Sequence, residues 1–137
     1  MSTADVLLVE DNHGDTVLLR EAFAHVGLDH RLRRVCDGVE AVEALRAPGA
    51  AAPDLVILDL KLPRKDGREV LAEMRADPAL SGILVVVLTS SKADRGLIES
   101  LGLPADRYMV KPVSFDGYVE IARRIARLLE GGSPPTQ

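Results

Sequence analysis

Five short apolar stretches punctuate the chain, and between them apolar residues recur at every third or fourth position. The stretches are Val6–Val9, Leu55–Leu58, Ile83–Leu88 and Tyr108–Val110, with a mixed one at Leu32–Cys36. Continuous runs of this length predict strands buried on both faces of a sheet, since a half-exposed strand would alternate. The periodic segments predict helices. Asp15 is placed to cap one that runs to Val26, with Leu18, Leu19, Ala22, Phe23 and Val26 on one face and Gly27 as its stop. A second is expected over about Gly38–Ala47, ahead of Pro48, and a third over about Gly67–Asp77, ahead of Pro78. A short fourth covers about Ala93–Leu101, and a long fifth about Ser114–Glu130.

Strand and helix alternate throughout as (βα)5. Strands joined through helices run parallel, with right-handed crossovers. The expected fold is therefore α/β, a doubly wound, five-stranded parallel sheet with helices on both faces. One domain is expected over residues 1–130, followed by a flexible tail at 131–137, "GGSPPTQ".

Composition narrows the class. The 137 residues have room for one substantial core, and 47% apolar with 28% charged residues is ordinary for a globular chain. A net charge of −4 gives no nucleic-acid footprint and no attraction to an acidic membrane surface. No apolar run approaches the ~18 residues of a membrane span, and no signal-like N-terminus is present. The single cysteine, Cys36, cannot form an internal disulfide, which fits a cytoplasmic protein. It is expected to be a small buried residue at a strand end.

In parallel α/β sheets, ligands and chemistry gather at the carboxyl ends of the strands. Here the first strand ends in Glu10-Asp11-Asn12, the third in Asp59, the fourth in Thr89-Ser90-Ser91 and the fifth in Lys111-Pro112. Three carboxylates, a hydroxyl and an ammonium thus face one edge. Two unit charges ~4 Å apart repel by ~4 kcal/mol at an effective dielectric of ~20, so the acids need cations or protons. Lys111 supplies one positive charge, and a hard divalent ion such as Mg²⁺ would supply the rest. A carboxylate in that setting can attack a phosphoryl group, which accounts for an acid at the end of a core strand. Taken singly, Thr89 reads as a β-former, Tyr108 as a core aromatic and Lys111 as a solvated charge. His13 and Asn12 read as loop-shaping residues. It is the combination that sets Thr89, Tyr108 and Lys111 apart.

With "LLVEDN", "LVILDLKLPRKDG", "VVVLTSS" and "YMVKP" in that order, the chain closely resembles the receiver domain of two-component response regulators, over about Ala4 to Glu130. The resemblance implies a flavodoxin-like, CheY-like sheet of strand order 2-1-3-4-5. It also implies a signalling phosphoacceptor rather than an enzyme, with only Mg²⁺-dependent self-phosphorylation and self-dephosphorylation. Carried over by position, Asp59 resembles the phosphoacceptor, Asp11 the direct metal ligand and Glu10 a second metal-binding acid. The Lys61 backbone carbonyl is expected as a further metal ligand. Thr89 resembles the switch hydroxyl, Tyr108 the switch aromatic, and Lys111 the phosphate-pairing lysine, with a cis bond to Pro112 also expected.

The chain stops short of an attached output domain, so a stand-alone regulator is expected, exerting its effect through partner proteins. The stretches "EDNHGD", "KLPRKDGREVLAEMRADPAL" and "VVVLTSSKAD" look most like small receivers paired with phytochrome-type histidine kinases. Lys61 and Ser91, each two residues beyond a site residue, are placed to overhang a phosphoryl group. A haloacid dehalogenase-type phosphatase also opens with a strand-end aspartate, but would need an acid where Lys61 stands. A flavin-binding module would need a hydroxyl- and glycine-rich loop after the first strand, which is missing. A degenerate receiver, acting as a phosphorylation-independent docking module, remains the alternative within the family. Finally, the last helix carries an apolar arc of about 180°, wider than one packing face requires. Tyr118, Ile121, Ile125 and Leu128 on that arc predict an exposed strip and a homodimer built on it.

Overall fold

The computed structural model describes residues 3–90, 96, 99, 102 and 107–131. The apolar runs form strands β1 (Ala4–Val9), β2 (His30–Val35), β3 (Leu55–Leu58), β4 (Leu84–Thr89) and β5 (Tyr108–Val110). Among the described residues, four helices join or follow them: α1 (His13–His25), α2 (Gly38–Arg46), α3 (Gly67–Ala76) and α4 (Phe115–Leu129). All of the expected helix over Ala93–Leu101 except residues 96 and 99 lies outside the described residues, as do Ser91 and most of the tail. All pairings are parallel, and the strand order is β2-β1-β3-β4-β5.

Successive residues of the central strands feed opposite cores, as a period of two requires. Val6, Leu8, Leu55, Ile57, Val86 and Leu88 face α1 and α4, against Leu19, Phe23, Val119 and Ile125. Leu7, Val9, Val56, Leu58 and Val85 face α2 and α3, against Ala41, Val70, Leu71 and Met74. This is why the runs are apolar throughout. Edge strand β2 is mixed because only alternate residues are covered, and Cys36, just beyond it, is exposed rather than buried. An edge strand has a neighbour on one side only, so its end has nothing to cover a small residue.

Two further expectations are corrected. The α4 strip is not exposed: Tyr118 is 2% accessible, Ile121 5% and Ile125 0%, while Leu128 is half-buried against the same core. Besides its seat on the sheet, α4 packs along α1, so two neighbours divide the wide arc between them. Three of the four residues proposed for the dimer surface, Tyr118, Ile121 and Ile125, are therefore interior to the protomer. No cis peptide bond occurs among the described residues, so Lys111–Pro112 is trans. The isomers of an X–Pro bond differ by only ~0.5–1 kcal/mol, too little for sequence to specify one.

Candidate functional site

The carboxyl ends of β1, β3, β4 and β5 bring the expected side chains together. Asp59 follows β3 directly, and its N–H donates to the Val9 carbonyl at 3.1 Å, continuing the ladder between β1 and β3 for one more residue. Its carboxylate is almost wholly buried. One oxygen accepts from the Lys61 N–H at 3.1 Å and the other from Lys111 Nζ at 3.0 Å. Beyond it the chain turns through Lys61–Asp66, with Arg64 in the left-handed region at φ 68°. That conformation costs a non-glycine residue about 1 kcal/mol. Arg64 is held there beside Asp37, the N-cap of α2, by an ion pair of 3.5 Å.

The loop is also pinned by two close approaches. A Cβ on Gly38 would lie 1.9 Å from the Lys65 carbonyl oxygen, and one on Gly67 would lie 2.2 Å from the Asp59 carbonyl oxygen. Only glycine fits either place. Gly67 opens α3, capped by Asp66, whose side chain accepts from the Glu69 N–H while the Glu69 side chain accepts from the Asp66 N–H.

Lys111 is the hub. Its ammonium meets Glu10 Oε1 at 2.8 Å, Asp15 Oδ2 at 2.8 Å and Asp59 Oδ2 at 3.0 Å. Three hydrogens thus meet three carboxylates. Burial works against its charge, but the bonds to Asp15, Glu10 and Asp59 outweigh that and raise its pKa, so the ammonium stays protonated. Burial also pushes Glu10 up to about 7; the bond from Lys111 opposes the shift and the charge of Asp59 adds to it. The second Glu10 oxygen accepts from the Asn12 N–H at 3.0 Å. Thr89 is fully buried at the end of β4, and its carbonyl accepts from the Lys111 N–H at 2.7 Å, tying β5 to β4 at the edge of the site. Tyr108 is buried against Leu60 and Val87, so the expected switch aromatic already lies inside.

Carboxylate oxygens of Glu10, Asp11 and Asp59 all lie within 4.8 Å of one another. Asp11 is exposed and the other two are buried. A set of hard oxygen donors gathered so closely, with one face open to solvent, fits a small divalent cation of the Mg²⁺ class.

Two residues of the site were not foreseen. Asp15 does not cap α1; Asn12 does, accepting from the Asp15 N–H at 2.9 Å, and Asp15 becomes free to bind Lys111. Either residue has the chemistry of a cap, and the preference was settled by where the chain enters the helix. Arg34, on β2, donates to the Glu10 carbonyl at 2.9 Å and the Asp11 carbonyl at 3.0 Å. It clamps the acidic loop from the neighbouring strand. The parallel pairing of β1 with β2, and not any local motif, brings it there.

Residues 6–123 match the sequence profile of the response regulator receiver domain. The chain is 42% identical over 110 residues to response regulator Rcp1 of Synechocystis sp., covering 77% of this chain and 75% of that protein. Among solved structures, the phosphorylated cyanobacterial phytochrome response regulator RcpA matches with a TM-score of 0.83 at 36% identity, over 98% of this chain and 100% of that one. The Mn²⁺-bound form of Rcp1 matches with a TM-score of 0.81 at 36% identity, over 97% and 99% of the two chains.

Proposed function

The chain belongs to the response regulator receiver domain family, and from that premise we propose that Asp59 accepts a phosphoryl group from the phosphohistidine of a sensor histidine kinase of the phytochrome type. The observation that carries this reading is the buried Asp59 carboxylate, held at a strand end between Lys61 N–H and Lys111 Nζ and flanked by Glu10 and Asp11. The kinase class rests on the similarity to RcpA, itself a phytochrome response regulator.

A carboxylate oxygen of Asp59 attacks phosphorus. The P–O bond forms as the P–N bond to the donor imidazole breaks, and the bonding pair leaves with that nitrogen. Lys111 stands beside the attacking group with its charge secured by three acids, ready to meet the phosphoryl oxygens. Glu10, Asp11 and Asp59, with the Lys61 carbonyl, would hold Mg²⁺, which when bound supplies positive charge against the phosphoryl oxygens.

The acyl phosphate carries about −2 of charge where the Asp59 carboxylate carried −1, and draws Thr89 and Lys111 toward it. Both residues lie next to β5, whose Tyr108 packs on Leu60 and Val87. The surface formed by β5 and α4 is therefore the proposed output face. Incubation with a phosphorylated histidine kinase, or with acetyl phosphate and Mg²⁺, should label the protein with an acid-stable, alkali-labile phosphate. Asp59→Asn should remove the label with the fold intact by circular dichroism. Full labelling of that variant, or labelling that survives chelation, would sink the reading.

A further inference from the structure

Asp15 sits in the first turn of α1, outside the Glu10, Asp11 and Asp59 cluster, and both its carboxylate oxygens are engaged. One accepts from Lys111 Nζ at 2.8 Å and the other from the Tyr118 hydroxyl at 3.2 Å. Tyr118 comes from α4 and is almost fully buried, so its ring cannot swing away without opening the core. Burial, with the charge of Asp15 beside it, pushes its pKa up to about 12, and the hydroxyl remains a donor at neutral pH. A buried helix residue thus fixes a carboxylate, and the carboxylate fixes the lysine.

Resting on the phosphoacceptor reading above, we propose that Asp15, oriented by Tyr118, is a positioning residue for Lys111. It retains one ammonium hydrogen throughout and leaves the other two to meet the phosphoryl group on Asp59. The reason lies in what each partner of Lys111 must do. Glu10 and Asp59 belong to the acid cluster suited to a cation, and Asp59 itself gains the phosphoryl group, so both change their engagement as the reaction proceeds. Asp15 does neither. Without it the flexible four-carbon lysine stem loses its one constant anchor and samples other rotamers, with a cost in orientation.

Electrostatics alone makes the opposite prediction. Removing the Asp15 charge should welcome an anionic phosphodonor and free Lys111 for it, so Asp15→Asn would react faster. A positioning role requires it to react more slowly.

The full chain is labelled with acetyl phosphate and Mg²⁺, alongside Asp15→Asn and Tyr118→Phe. Tyr118→Phe keeps the buried ring and removes only the hydroxyl. Replacing the ion pair by a neutral amide is expected to slow labelling roughly tenfold in Asp15→Asn, and losing the longer bond that orients Asp15, one step removed from Lys111, about threefold in Tyr118→Phe. In the double variant, Tyr118→Phe should add nothing further. A second readout needs no metal and no phosphodonor. In chelator-treated protein, the ¹H–¹⁵N signal of the Lys111 ammonium should be protected from exchange in the parent and broadened in Asp15→Asn.

A purely structural bond between α1 and α4 would lower the unfolding midpoint but leave both the rate and the ammonium signal unchanged, and that result overturns the proposal. So does faster labelling of Asp15→Asn. Failure of the parent protein to label at all would refute the phosphoacceptor reading instead, with the ammonium signal still deciding whether Asp15 holds Lys111.

Discussion

Gly67→Ala tests how tightly the phosphoacceptor loop is built. The added methyl carbon would stand 2.2 Å from the Asp59 carbonyl oxygen, 2.7 Å from Leu60 Cα and 3.0 Å from the Asp59 carbonyl carbon. All three are backbone atoms, so no side chain can rotate aside. Restoring ordinary contact requires the start of α3 and the end of β3 to part by about 1 Å, which would stretch the 2.9 Å bond from the Gly67 N–H to the Leu60 carbonyl. Overpacking of this kind costs about 1–3 kcal/mol and the weakened hydrogen bond about 1 kcal/mol. Replacing glycine in a helix returns at most about 1 kcal/mol, and less in a first turn. The net expectation is a loss of about 2 kcal/mol, or roughly 6–10 °C in Tm for a domain of this size. Because the parting displaces the backbone of Asp59 itself, Asp59 labelling should slow as well. Urea and thermal unfolding followed by far-ultraviolet circular dichroism measure the first effect, and acetyl phosphate labelling the second. Gly82→Ala is the control, since nothing lies within 4 Å of a Cβ there, and it should stay within about 0.5 kcal/mol of the parent. If Gly67→Ala unfolds at the same urea concentration as that control, the close approach does not constrain the loop.

Four other outcomes are expected. With Glu10 raised to about 7, a proton competes with Mg²⁺ for the site; calorimetric affinity should fall about tenfold from about pH 8 to about pH 6, and the dependence should vanish in Glu10→Gln. A flat profile would contradict the burial of Glu10 as its cause. Asp66→Ala removes the capping box of α3 and should cost about 1 kcal/mol. Burial of Asp66 works the other way, but the Glu69 N–H and Arg68 outweigh it and hold the carboxyl below its ordinary 3.8. The contribution of the cap is therefore present above that value and lost as pH falls through the lower folded one, which acid titration of the variant against the parent can follow. Ile125→Ala empties a fully buried site on α4 and should cost about 2–5 kcal/mol, while Ile121→Glu should give an unfolded chain rather than a folded monomer.

The described elements, their parallel sense and the acids at their ends were legible along the chain, because each is a local property. A run such as Leu55–Leu58 is apolar at every position only if both faces are covered, and an acid placed directly after it must stand at the rim of the sheet. The resemblance to receivers supplied the strand order, which the pattern of runs does not contain, and the structure has the same order. Other features depended on which elements meet. The apolar arc of α4 read as too wide for one neighbour, and it is, but the second neighbour is α1 of the same chain and not another copy. Asp15 looked like a cap because aspartate is a good one, yet its partners are Lys111 and Tyr118, 96 and 103 residues away. Arg34 shows nothing in sequence that marks it, and it reaches the acidic loop only through the pairing of β1 with β2. Hydrophobic period and capping chemistry act over one or two turns, so they specify elements. Which carboxylate shares an ammonium is decided by Coulomb and hydrogen-bond contacts of about 3 Å, and such distances between remote residues exist only once the sheet has brought its strand ends together.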